Sequence, residues 1–368
     1  MTEPVRVAVV GLGWAGREIW LSRLAEHPAY EVVAVADRSA AARRSAAAAW
    51  PGIRVLADAA EVTPDLADLA VVAVPNYLHA PVAEGLLRRG VPVFLEKPVC
   101  LSSAEAARLD AAERAAGAML LAGSAARYRA DVAALGAAVA REAGVIRHVE
   151  LAWVRAKGVP DAGGWFTRAD QSGGGALVDL GWHLLDTIDP ILGPVDYEHV
   201  LGTVSGDFVN VAQHGASWRH EEGGQAPSPG AVNVEDTARG FLVTSNGGSV
   251  LLRASWASHE TYDTTTIRVE GSAATISLRC TFGFSPNRAG GSELLLRRAG
   301  VSTPIPFAAE PVGSEYDRQL DALPRLLADA GTRGRAVAEA RRTIGVIERF
   351  YGSAERTGSV PPRAAAAV

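Results

Sequence analysis

A chain of 368 residues is long enough for two domains at about 150 residues each. With 48% hydrophobic and 21% charged residues it has the balance of a globular protein, and a net charge of −5 with scattered arginines argues against a nucleic-acid or other polyanionic partner. Cys100 and Cys280 lie too far apart in sequence for metal-ligand spacing, so neither a disulfide framework nor a metal site is expected, and a reducing cytoplasm is the default. No apolar run approaches the ~20 residues of a membrane span, and Met-Thr-Glu-Pro opens no basic, cleavable leader.

The first 122 residues alternate between two periodicities. β-Branched runs at 5–10, 31–36, 54–56, 69–74, 91–95 and 118–122 read as strands, with helical patterns at 17–25, 39–49, 81–89 and 102–116 between them. Strand–helix alternation implies a parallel sheet covered on both faces. Beyond residue 124 the pattern changes: helix 130–142, strand 145–157, a glycine-led helix 175–190, then strands 198–206, 237–245, 248–258, 262–270, 273–280 and 292–298. Asn246-Gly247-Gly248 is a hairpin signal, and successive strands joined by short turns imply an antiparallel sheet. A Gly/Pro/Ser-rich loop is expected at 221–230, with closing helices at 314–330 and 335–357 and a frayed tail at 361–368. The expected fold is therefore α/β: a doubly wound parallel sheet in 1–124 and an α+β domain with an open, mainly antiparallel sheet in 125–360, whose last helices pack back on the body.

Gly11-Leu12-Gly13-Trp14-Ala15-Gly16 follows a strand and opens a helix. In such a turn the first glycine permits the bend and the second lets a pyrophosphate approach the backbone. The third allows close helix–strand packing, and the helix N-terminus attracts phosphate. Asp37 closes the next strand at the distance expected for a carboxylate that holds an adenosine ribose. A carboxylate there favours NAD; Arg38 beside it keeps NADP open, since a guanidinium grips a 2′-phosphate. Pro75-Asn76 and Glu96-Lys97-Pro98 sit at carboxyl ends of strands, where ligands bind in open α/β sheets, and His79 is either near the cofactor or inert on the surface.

Helix 175–190 places Asp179 and His183 four residues apart, on one face at about 3.6 residues per turn, with Asp186 a turn further on. A histidine with a nearby carboxylate is what proton transfer requires; the bland alternative is a polar stripe meeting water. Trp153, Arg155, Trp165, Arg168 and Trp182 either line a sugar pocket or pack the sheet.

The glycine loop, Asp37, Pro75-Asn76-Tyr77-Leu78-His79, Glu96-Lys97-Pro98, Arg127-Tyr128 and Gly173-Gly174-Gly175-Ala176-Leu177-Val178-Asp179-Leu180-Gly181-Trp182-His183 together resemble the Gfo/Idh/MocA oxidoreductase family over nearly the whole chain. The resemblance implies a Rossmann domain followed by an α/β domain whose open sheet serves substrate on one face and dimer or tetramer contacts on the other. It further implies NAD or NADP as cofactor, with Gly11, Gly13, Trp14, Ala15, Gly16, Asp37, Arg38, Pro75, Asn76, His79, Glu96 and Lys97 around it. Lys97, Asp179 and His183 become the catalytic set, and Arg127, Tyr128, Trp153, Arg155 and Trp165 candidate substrate contacts. The proline that often follows the Arg-aromatic pair is missing after Tyr128.

The implied reaction moves a hydride between the nicotinamide and a secondary alcohol or ketone of a sugar, nucleotide sugar or cyclitol. His183, with an unperturbed pKa of ~6.5, takes the hydroxyl proton while Lys97 stabilises the developing alkoxide. The reverse assignment, Lys97 as proton carrier, stays open, as do an NAD-dependent glycoside-cleaving relative and a non-catalytic dinucleotide-bound sensor.

Overall fold

The computed structural model describes residues 3–160, 164–216 and 232–359; the loop expected at 221–230 and the tail expected at 361–368 lie outside the described residues. The chain forms two compact units. One runs to Ala125 and takes in Tyr316–Arg341; the other holds Ala126–Glu315 and the chain from Arg342.

The first unit is a six-stranded parallel sheet: β1 Val5–Val10, β2 Tyr30–Ala36, β3 Arg54–Leu56, β4 Leu69–Val72, β5 Val93–Leu95 and β6 Leu120–Ala122, in the order β3-β2-β1-β4-β5-β6. Val7, Ala8 and Val9 on β1 and all four residues of β4 are fully buried, as strands covered on both faces must be. The strand order reverses between β1 and β4, and the carboxyl ends at such a switch point form the ligand crevice of doubly wound folds.

Prolines mark where the helices depart from the sequence pattern. The helix expected from Pro81 starts at Asn76 and runs to Arg88, with Pro81 inside it. So near the N-terminus the ring forfeits a single bond, to the Tyr77 carbonyl. Pro324 lies deep inside helix Ser314–Ala328 and leaves the Leu320 carbonyl without its helical donor. The Tyr30 hydroxyl, from β2, donates to that carbonyl.

The second unit carries an eight-stranded sheet: β7 Ile146–Val154, β8 Tyr197–Ser205, β9 Thr237–Thr244, β10 Ser249–Ser255, β11 Thr264–Gly271, β12 Thr275–Cys280, β13 Glu293–Arg298 and β14 Val301–Pro304, ordered β14-β13-β12-β11-β7-β10-β9-β8. Among the described residues its strand pairs are antiparallel except β7–β10. The hairpin at Asn246-Gly247-Gly248 joins β9 to β10, with Gly247 at φ +81°. Edge strand β14 escaped the sequence reading because its Val-Ser-Thr-Pro, exposed throughout, has no apolar alternation; its terminal proline suits an edge.

One face of this sheet is covered by helices. Gly181 of the glycine-led helix rests on Ala254 of β10. The ring of Phe350, from helix Arg335–Arg356, fills a slot made by the register partners Gly202 and Gly240, where an added Cβ would stand 2.3 and 2.2 Å from it. The other face exposes Leu201, Phe241 and Leu251, adjacent across β8, β9 and β10.

Candidate functional site

In the first unit the three loop glycines do different jobs. Gly11 has φ +94°, and a Cβ on it would lie 2.6 Å from the Ala73 carbonyl oxygen. A Cβ on Gly16 would lie 1.8 Å from the Gly11 carbonyl oxygen. Around Gly13, which is exposed, a Cβ would meet nothing within 4 Å. The outer two glycines are thus demanded by the protein's own packing, while the middle one faces open space, which fits a pyrophosphate approaching the backbone. Trp14 precedes a helical stretch, Ala15–Leu21, wound with five-residue hydrogen bonding (Ser22 N–H to the Arg17 carbonyl), which continues as the α-helix Ser22–Glu26.

Asp37 is fixed to this loop: Oδ2 accepts the Leu12 N–H at 2.7 Å and Oδ1 the Ser39 N–H at 2.7 Å. Arg38 is exposed and reaches Asp58 at 3.4 Å. Pro75 and Asn76 form the start of helix Asn76–Arg88, with Asn76 buried. His79 is not a surface residue. It is 2% exposed, and its ring nitrogens lie 2.7 Å from the Pro98 carbonyl and 2.8 Å from the Val74 carbonyl, between the Lys97-Pro98 turn and the residues that follow β4. Burial pulls its pKa down to about 4, with Lys97 adding to the effect and the two carbonyls opposing it; the neutral ring at pH 7 has one N–H and donates to only one of the two carbonyls. Glu96 accepts the Lys97 N–H on Oε2 at 2.9 Å and the indole N–H of the fully buried Trp20 on Oε1 at 2.8 Å. The Glu-Lys-Pro turn is therefore met by two buried side chains from neighbouring helices, His79 and Trp20.

In the second unit the glycine-led helix begins with a wide turn, Leu177–Gly181, closed by the Trp182 N–H on the Leu177 carbonyl, and continues as Trp182–Leu192. Wide turns of this kind recur at functional sites. The space cleared by the glycines is filled by the protein itself. A Cβ on Gly174 (φ +153°) would lie 2.0 Å from the Tyr351 hydroxyl, and one on Gly175 would lie 1.7 Å from the Glu235 carbonyl oxygen. The carboxylate of the buried Glu235 accepts the N–H of Gly175 at 3.0 Å and of Leu177 at 2.9 Å, and the Tyr351 hydroxyl at 2.8 Å. Burial pushes its pKa up, against these donors. These glycines thus admit a buried acid that satisfies the helix start.

Asp179 lies in the wide turn, 9% exposed, and its Oδ2 accepts the indole N–H of the fully buried Trp256 at 2.9 Å. His183 is half-buried, its ring centroid 5.5 Å from that of Trp153. Trp153 is 3% exposed, and its indole N–H has no acceptor among the described residues. Arg155 lies over the Trp153 ring at 5.0 Å. Trp165 packs on Phe166, ring centroids 4.6 Å apart, Trp182 is buried in the helix, and Arg168 pairs with Asp170 at 3.4 Å on the surface. Tyr128 is half-buried. Arg127 forks Asp186, Nη2 to Oδ1 at 2.7 Å and Nε to Oδ2 at 3.1 Å. Its Nε also donates to the Asp186 carbonyl at 2.9 Å, the one that Pro190 leaves without a helical partner. Asp186 and Arg127 together carry the helix past its proline. Trp20, Glu235, Tyr351 and Trp256 have no motif signal; their partners lie 58 to 116 residues away.

A dinucleotide loop at the switch point of a parallel sheet, followed by an α/β unit with an Asp/His helix, defines a nicotinamide-dependent oxidoreductase class. Residues 5–124 match the model of the oxidoreductase family with an NAD-binding Rossmann fold, and residues 134–277 match the GFO/IDH/MocA C-terminal domain. The chain belongs to the Gfo/Idh/MocA family and is an NAD(P)-binding oxidoreductase. It is 56% identical over 360 residues, 97% of this chain and 99% of the other, to a protein of Amycolatopsis mediterranei (strain S699) named as a UDP-kanosamine synthase oxidoreductase subunit. It is 28% identical over 269 residues, 70% of this chain and 71% of the other, to D-glucoside 3-dehydrogenase of Escherichia coli (strain K12). In fold it resembles KijD10, a 3-ketoreductase from Actinomadura kijaniata crystallised with NADP and TDP-benzene, at a TM-score of 0.72 and 18% identity over 95% of this chain and 98% of that one. Among the described residues no helix is long and apolar enough to cross a membrane, and no group of three or more His, Cys, Asp or Glu is placed to hold a metal ion.

Proposed function

We propose that this chain oxidises a hexose hydroxyl to a ketone, or reduces the ketone, at position 3 of a sugar carried on a nucleoside diphosphate. The observation that carries this reading is the 56% identity, end to end, with the UDP-kanosamine synthase oxidoreductase subunit. Position 3 recurs in the names of D-glucoside 3-dehydrogenase and the 3-ketoreductase. Bound at the Gly11–Gly16 loop and Asp37, the nicotinamide cofactor supplies or accepts the hydride. The chain's own residues do the rest. His183 takes the hydroxyl proton, and Lys97 places its ammonium on the reacting oxygen to stabilise alkoxide character. Asp179 orients His183 or accepts a neighbouring sugar hydroxyl. Trp153 offers an indole N–H that no described residue accepts, beside the His183 ring. In the alternative division of labour Lys97 carries the proton and His183 orients.

The test is NADH formation from UDP-glucose, with TDP-glucose and free glucose alongside, in wild type, Lys97→Ala and His183→Ala. Expected are activity on the nucleotide sugars and losses of about 100-fold or more in kcat for each variant, with NADH binding retained. Wild-type turnover in both variants overturns the assignment. NADH binding with no reduction on any sugar returns the chain to the sensor reading. We also propose that the exposed Leu201–Phe241–Leu251 row contacts a second copy of the chain; a monomer by light scattering overturns that.

A further inference from the structure

Two carboxylates in the proposed machinery end on a fully buried indole: Glu96 on Trp20 at 2.8 Å and Asp179 on Trp256 at 2.9 Å. We propose that Trp256 is the positioning residue for Asp179, fixing its carboxylate through the indole N–H so that it acts in register with His183. The inference rests on the reading of Asp179 as part of the reaction site.

The chemistry of the pair favours this over simple packing. An indole N–H donates and never accepts, so Asp179 Oδ2 must present a lone pair to it. Trp256 has no exposed surface, closes the end of β10 and is anchored by its own backbone N–H on the Asp236 carbonyl at 2.8 Å. Its ring packs near Phe166, centroids 6.2 Å apart. An apolar pair of the same shape would fill this space without desolvating a carboxylate, and such replacements are often neutral or stabilising. Stability alone therefore gives no reason for an acid here. Orientation does: Asp179 sits in the five-residue turn Leu177–Gly181, where side-chain directions depart from the α-helical path. A fixed donor from the sheet selects one of them.

Trp256→Phe keeps one aromatic ring and removes the N–H together with the rest of the five-membered ring. A hydrogen bond to a charged group predicts a fall in kcat of about 10- to 100-fold, with KM for the nucleotide sugar and NADH affinity within about threefold of wild type. In an Asp179→Ala background, which leaves the indole no acceptor on this side chain, the same substitution leaves kcat unchanged, because its effect runs through Asp179; a purely structural role is additive there. A second measurement needs only the Asp179→Asn variant. Among the eight tryptophans, one indole N–H resonance of the protein with NAD bound moves upfield when the charged carboxylate acceptor is replaced by a neutral amide. Additive losses in the cycle, wild-type kcat in Trp256→Phe, or an unmoved set of indole resonances overturns the proposal. Wild-type kcat in Asp179→Asn instead overturns the functional reading on which it rests.

Discussion

Both units of this protein contain a glycine-led helix that opens with a widely wound stretch, and the two use their glycines in opposite ways. At Gly11–Gly16 the middle glycine borders open space, while the flanking ones yield to the backbone at Ala73 and Gly11. At Gly173–Gly175 the cleared volume is filled by the Tyr351 hydroxyl and the Glu235 backbone, and the Glu235 carboxylate takes the helix-start N–H groups of Gly175 and Leu177. Each helix N-terminus meets an acid, as its dipole favours. In the first unit we propose that the acid comes from the cofactor; in the second it is built in. A glycine run in front of a helix therefore reports that something approaches the backbone, and its surroundings report what.

The largest effect expected from this contrast is at Gly175. An alanine there sets a Cβ 1.7 Å from the Glu235 carbonyl oxygen, a backbone atom in the interior that cannot swing aside. Overpacking of that severity should cost about 3 kcal/mol or more in chemical denaturation. A Gly175→Ala protein within ~1 kcal/mol of wild type means the helix start is not clamped as described.

Glu235→Gln probes the built-in acid itself. Burial raises the folded-state pKa of Glu235 above the unfolded value of about 4.3, so between those two pKa values the folded chain binds more protons than the unfolded one. Wild-type stability therefore falls, relative to the glutamine variant, as pH rises from the unfolded pKa toward the folded one, and the difference is level beyond it. The check is the difference in unfolding free energy between the two proteins across that range; a difference that moves in favour of wild type with rising pH contradicts the burial argument.

The contrast also marks how far the sequence could be read. Both sheets except edge strand β14 were legible, because strands buried on two faces read as β-branched runs and half-buried strands as alternation. The Glu-Lys-Pro turn and the Asp179/His183 spacing were legible because they are local. What was hidden is long-range. Helix Trp182–Leu192 passes through Pro190 because Arg127, 59 residues away, donates to the Asp186 carbonyl, and helix Ser314–Ala328 passes through Pro324 because Tyr30 donates to Leu320. Trp20 and Trp256 carry no periodicity that separates a packing indole from one aimed at a carboxylate. Each lies 76 or 77 residues from the acid it holds. His79 was ambiguous for the same reason: only the fold reveals two carbonyls around its ring.

The smallest effect on stability, and the sharpest separation of the two glycine runs, is expected at Gly13. A Cβ there meets no protein atom within 4 Å, so Gly13→Ala should leave thermal unfolding within about 0.5 kcal/mol of wild type. The same methyl group enters the space proposed for the pyrophosphate, and NADH affinity should fall by about tenfold or more. Titration of NADH fluorescence beside a thermal melt separates the two quantities. Loss of stability together with affinity would make Gly13 a packing glycine like Gly175. Unchanged affinity would place the pyrophosphate away from this loop. Only intact stability with weakened binding keeps the distinction between a helix start that awaits its acid and one that already holds it.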